Sequence, residues 1–164
     1  MKIARKAGAV ALATALFVAT GGADALAKVQ LPAYDGPIVA GKNPKVRPGT
    51  IIYTGDGSGA LAGRGARSRH PKFGRLHWTT WNGTEGRAFG ADWVNNCVPF
   101  CAAGTFTPYP VNIRVFRPRM LGGHRIFTRM QVTYTGKRPE RNHNRVQIWT
   151  VSDGHGQYIW NFPY

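Results

Sequence analysis

The chain has 164 residues, 43% of them hydrophobic, and carries 22 Lys and Arg against 7 Asp and Glu, a formal net charge of +15. That length is about one domain's worth and enough for one hydrophobic core, and two cysteines with five scattered histidines leave no second pair for a zinc site. The cationic excess favours anionic partners such as phosphate-bearing polymers, nucleic acid or lipid headgroups, and it equally fits solubility and loose attachment to an envelope, since charge alone names no ligand.

Lys2, Arg5 and Lys6 form a charged n-region, Ala9 to Ala19 an apolar h-region, and Ala25-Leu26-Ala27 an A-x-A signal. Residues 1–27 are therefore expected to be a Sec signal peptide cleaved after Ala27, which makes the protein secreted. The apolar run is too short to span a bilayer, Arg5-Lys6 is no twin arginine, and no Cys follows for a lipid anchor. An exported chain meets oxidising conditions, which permit a disulfide.

From 28 to 49 the chain carries Pro32, Pro37, Pro44 and Pro48 without apolar periodicity, an expected extended arm preceding a single domain over 50–164. Thr50 to Thr54 (TIIYT) is a short β-branched run and the first expected strand. The following Gly55-Asp56-Gly57-Ser58-Gly59 and ALAGRGARSRHPKFG lack the Lys and helix of a phosphate loop and the recurring carboxylates of a calcium loop, so they are expected to be a turn and a flexible loop. Gly74 to Trp81 and Arg87 to Val94 read as a hairpin about the Asn82-Gly83 turn, with Leu76, Trp78 and Thr80 on one face and His77, Thr79 and Trp81 on the other. Asn82-Gly83-Thr84 is also a glycosylation sequon, taken here as chance on a tight turn. Ala88 and Gly90 are small on one side of the return strand, as close packing against a bulky neighbour requires.

Next comes NNCVPFCAAG. Cys97 and Cys101 have three residues between them, so a bond between them closes only a turn; a redox-active dithiol and half of a zinc site are the competing readings, and the spacing matches neither C-x-x-C nor a four-ligand pattern. Three clearer strands follow, Val111 to Arg117, Arg125 to Thr135 and Arg145 to Val151, with Gln157 to Phe162 as a last short one. Thr105 to Pro110 and Pro118 to His124 read as connections. No amphipathic helix, repeat or heptad is present, and short strands with Gly/Pro turns predict an all-β fold, a small antiparallel sandwich or barrel.

The order GDG (Asp56), LHWTTW (Trp78, Trp81), an Ala/Gly-rich strand, NNCVPFCAAGT, YPVNIRV and FTRMQVTYTGKRP resembles a group of small secreted actinobacterial proteins of unknown function, over roughly residues 50–138. The resemblance implies export and a β-rich fold and implies no activity. Many of that group carry a further Cys before GDG, where this chain has Thr54, so the resemblance implies that Cys97 and Cys101 pair with each other here. Residues 139–164 have no counterpart in it.

Catalytic chemistry finds little footing. Ser58, Ser68 and Ser152 lie in no G-x-S-x-G, Ser152-Asp153-Gly154-His155 places its residue types side by side where a triad needs them facing, and His77 has no partner near it in sequence. Asp35, Asp56, Glu85, Asp92, Glu140 and Asp153 would furnish a glycosidase pair only if the fold brought two to one cleft. The expectation is a non-catalytic protein without cofactor or metal; a small secreted hydrolase with an unrecognised site is the alternative.

Strand parity supplies the candidate site. Trp78, Ile113, Val132 and Ile148 are expected to point inward. The opposite parity holds Arg114 and Phe116; Arg125, Phe127, Arg129 and Gln131; Arg145, Gln147 and Trp149. A face built from Arg114, Arg125, Arg129, Arg145 and Trp149 suits an anionic polymer or cell-envelope component, because guanidinium groups hold phosphate or carboxylate bidentately while rings stack on sugars or bases. The competing reading buries the aromatics in a second layer and lets the arginines snorkel to its rim.

Overall fold

The computed structural model describes residues 29–32, 44–140, 144–154 and 157–162. The stretch 1–27, expected to be a signal peptide, lies outside them, as does His155 of the Ser-Asp-Gly-His grouping. The fold is all-β. The strands are β1 (Ile51–Ile52), β2 (Gly59–Ala62), β3 (His77–Trp81), β4 (Glu85–Asn95), β5 (Phe106–Leu121), β6 (His124–Tyr134), β7 (Val146–Gly154) and β8 (Gln157–Asn161). They form one antiparallel sheet in the order β1-β2-β4-β5-β6-β7-β8, with β3 sharing the β2 side of β4, and the sheet curls into a half-barrel.

Why the sheet takes this form can be followed in its sequence. β5 is far longer than the predicted strand because its prolines sit where it has a neighbour on one side only. Pro108 and Pro110 lie beyond the end of β6 and Pro118 beyond the end of β4, so no ladder hydrogen bond is lost. The Asn82-Gly83 turn is closed by the Asn82 side chain, whose Oδ1 accepts from the Thr84 and Glu85 backbone N–H groups at 2.9 Å each. Gly90 packs as its size suggested: a Cβ there would collide with the Ala62 carbonyl and the Leu76 side chain.

The concave side holds the main core, with Ile51, Leu61, Ala88, Val111, Ile113, Val115, Met130, Val132, Tyr134, Trp149 and Trp160 all buried. A half-barrel leaves this side open, and the described parts of the stretch expected to be an extended arm, 29–32 and 44–49, pack against it. Val29 and Leu31 are fully buried in the core, Gln30 bridges to Ile126 in parallel, and Leu31 pairs with Lys45. Indole N–H groups hold this segment by its carbonyls: Trp81 donates to Val29 at 3.0 Å, Trp160 to Pro32 at 3.2 Å and Trp78 to Pro48 at 2.8 Å.

Two parity expectations fail for identifiable reasons. In β3 the register shifts between Trp78 and Thr80, so Trp78 and Trp81 face the same side and their rings meet edge-on at 4.6 Å. In β7 the apolar residues of both parities invite either orientation. Pairing decides it: Trp149 stands opposite buried Met130 and Gln147 opposite buried Val132, so both point inward while Ile148 is 40% exposed. Ile113 and Val132 face inward as expected, and Trp78 is half-buried against the core.

Cys97 and Cys101 form a disulfide, with sulfurs 2.08 Å apart, across a turn that ends in a short 3-10 segment, Cys101–Ala103.

Two stability outcomes follow. Trp149→Ala should cost about 3–5 kcal/mol, whereas Ile148→Thr should stay within about 0.5 kcal/mol, as read by denaturant unfolding. Opening the short disulfide loop with Cys97→Ala should cost about 2 kcal/mol. The unreduced, denatured parent should take up no thiol reagent.

Candidate functional site

Alternation along four paired strands brings a grid of side chains to the convex face. Glu85, Phe116, Arg129 and Thr150 form one row across β4 to β7; Arg87, Arg114, Gln131 and Ile148 form the next; Phe89, Asn112, Thr133 and Val146 form the third. β3 adds His77 beside Phe89, with ring centroids 4.6 Å apart.

The grid is pre-organised by its own charges. Glu85 accepts from Arg87 Nε and Arg114 Nε at 2.8 Å each, while the side chains of these arginines stay 54% and 44% exposed. Hydrogen bonds from Arg87 and then Arg114 hold the Glu85 carboxyl below its ordinary range, so the carboxylate stays ionised between them. The Arg114 guanidinium lies over the Phe116 ring at 5.1 Å, and Arg64 lies over Phe89 at 5.7 Å, a geometry in which the positive group meets the negative face of the ring. Two arginines thus hold one carboxylate, with Arg64 and Arg129 on the same side of the sheet.

Of the residues singled out in the sequence, Arg114 and Arg129 stand on this face. Arg125 lies past Arg117, a β5 residue with φ of 54°, and donates to the Gly83 carbonyl at 3.4 Å. Arg145 caps the end of β6 instead, its Nη1 donating to the carbonyls of Tyr134 at 2.9 Å and Gly136 at 3.3 Å. Trp149 is removed from the face altogether: it is 1% exposed in the core, its indole donating to Gln147 Oε1 at 3.0 Å. Phe127 is buried too, edge-on to Trp81. Neither reading describes these two rings: they join the main core on the concave side rather than a second layer over the face.

The sequence reading missed the other half of the face. Arg87 and Phe89 alternate with the small residues Ala88 and Gly90, and that pattern was legible. Arg64 was not, because it lies in ALAGRGARSRHPKFG, residues 60–74, expected to be a turn and flexible loop; the first residues of that stretch instead complete β2, and 63–75 follow as a loop. That stretch is docked: Phe73 packs edge-on against Trp93 and Phe106, Ser68 and Phe106 exchange backbone hydrogen bonds of 3.1 and 2.8 Å, and the Trp93 indole donates to the Gly63 carbonyl. It carries Arg64, Arg67, Arg69, His70, Lys72 and Arg75 exposed to solvent with no acidic residue among them.

A second constellation lies on the opposite side of the sheet. Asp92 is 1% exposed and accepts from the Tyr53 hydroxyl at 2.7 Å through Oδ1 and from the Tyr134 hydroxyl at 2.6 Å through Oδ2. Burial pushes its carboxyl up to about 6 against the opposing pull of the two tyrosine bonds, and burial together with the Asp92 charge pushes the Tyr53 phenol well above its ordinary value. Both carboxylate oxygens are engaged, so the group ties the chain after β1 to β4 and β6. Among the described residues no cluster of three His, Cys, Asp or Glu has the disposition of a metal site.

No protein-family model, curated protein or solved structure matches this chain.

Asp92 makes stability pH-dependent with a definite sign. The folded state keeps its proton up to about pH 6 while the unfolded chain releases it near the ordinary value of 3.8, so stability falls as pH rises between those two values and levels off above. The difference is about 3 kcal/mol. Thermal melts of Asp92→Asn from pH 4 to 7 should lack this component of the parent's pH profile.

Proposed function

We propose that this is a non-catalytic secreted protein that holds an anionic polymer of the cell envelope against the convex face of its sheet. The observation that carries the reading is the uncovered grid, where Arg114 over Phe116 and Arg64 over Phe89 set guanidinium groups and rings side by side and Arg129 stands in the same rows. Guanidinium forks suit phosphate or carboxylate, and exposed ring faces suit sugars or bases. Glu85 engages Arg114 through Nε and holds its fork in place before a ligand arrives, which lowers the ordering cost of binding. The exposed cations of 64–75 extend the positive field beyond the grid, where it speeds the approach of a polyanion. The resemblance of its Trp pair and cysteine turn to the small secreted actinobacterial group supports the export half of this reading.

Duplex DNA serves as a reference polyanion of known charge spacing. Binding should weaken steeply with salt, and Arg114→Ala and Arg129→Ala should each reduce the log–log slope by about one. Arg145→Ala should leave the slope unchanged and lower the melting temperature, because its guanidinium is spent on backbone carbonyls. An Arg129→Ala protein that binds with the parent's affinity and slope would remove the face from consideration.

A further inference from the structure

Away from the grid, the disulfide turn presents apolar side chains to water. Val98 is 65% and Phe100 61% exposed, with Pro99 exposed between them. The turn that displays them is clamped at both ends. Asn95 Nδ2 donates to the Cys101 carbonyl at 2.7 Å and Asn95 Oδ1 accepts from the Cys97 N–H at 2.9 Å. Asn96 Oδ1 accepts from the N–H groups of Thr105 at 2.9 Å and Val98 at 3.3 Å. Gly104 is required beneath the clamp, since a Cβ there would collide with Asn95 Oδ1. The disulfide adds a covalent tie. Every polar constraint in this turn fixes backbone, and none covers the two large apolar side chains.

The same end of the sheet is cationic. Asn95 pairs with Phe106 and Phe106 bridges to Ser68, so Arg67 and Arg69 flank a rung two strand spacings, about 10 Å, from the base of the turn. An acid stands beside the turn as well: the Asp56 carboxylate lies 3.7 Å from the Cys101 sulfur and is kept below its ordinary range by hydrogen bonds from the Ser58 hydroxyl and backbone.

We propose that this turn is an interfacial anchor for an anionic lipid bilayer: Val98 and Phe100 enter the headgroup boundary while Arg67 and Arg69 engage lipid phosphates. A rigid apolar tip beside exposed cations matches both components of interfacial binding, buried apolar area and attraction to anionic headgroups. Two side chains fall far short of the roughly 800 Å² per partner that a stable protein interface needs. A protruding tip forms no pocket for a small ligand, and the ring–guanidinium pairs that suit a polymer lie on the grid.

The test is co-sedimentation of the mature protein with phosphatidylglycerol vesicles and with phosphatidylcholine vesicles at fixed salt. The parent should sediment with the first and hardly with the second. Phe100→Ser and Val98→Ser should weaken vesicle binding, roughly ten-fold or more for Phe100, with melting temperatures unchanged because both side chains are already solvated. Arg67→Gln with Arg69→Gln should reduce binding to phosphatidylglycerol, and Asp56→Asn should strengthen it. Arg129→Ala should bind vesicles like the parent, and Phe100→Ser should bind duplex DNA like the parent, so that failure of the anchor and failure of the polymer face are told apart. A parent that ignores phosphatidylglycerol vesicles, or a Phe100→Ser protein that binds them equally well, overturns the anchor; so does a Phe100→Ser protein whose DNA binding falls as steeply as its vesicle binding.

Discussion

Four of the five tryptophans donate their indole N–H to a backbone carbonyl outside the strands, and the architecture depends on those bonds. A single curled sheet cannot cover itself. Its concave side needs a lid and its convex side needs either cover or polar side chains. Trp78, Trp81 and Trp160 solve the first problem by binding the segments around Val29, Pro32 and Pro48, so that residues with no periodicity of their own become part of the core. Trp93 solves part of the second by holding Gly63 and packing edge-on against Phe73. Each indole buries a large apolar body and satisfies its one donor in the same step, which makes tryptophan suited to pinning irregular chain onto a sheet.

This division of labour explains which part of the convex face is left uncovered. The second cluster, Ala62, Ala91 and Trp93 under Phe73 and Phe106, covers only the corner of the convex face next to β2. The rest of that face is solvated, and its rows carry arginine, amide and aromatic side chains instead of a second layer. Asp92 works on the hidden side of the same strand. Its two tyrosine bonds cross-tie three parts of the curl, and the charge they compensate is inaccessible to a ligand.

Much was legible because it is local. The cysteine turn closes over four residues, and the strand runs of β4, β5 and β6 announce themselves by alternation, so their inward residues Ile113 and Val132 were identified without coordinates. The missing half of the candidate face was hidden for a different reason. Arg64 reaches Phe89 only because Phe73 docks the intervening loop on Trp93, a contact between residues 20 apart that leaves no periodic trace.

By itself the sequence determined an all-β chain, its basic excess, its turn-locking cysteines and which parity of β5 and β6 is apolar, since composition and period-two alternation act within a few residues. Only the tertiary structure decided which way β7 faces, because Gln147, Ile148 and Trp149 leave its two sides nearly balanced until Met130 and Val132 stand opposite them. It alone decided that β3 slips between Trp78 and Thr80 and turns Trp81 inward, and that Val29 and Leu31 belong to the core. In each case the deciding term is a contact with a residue distant in the chain, whose energy no local pattern contains.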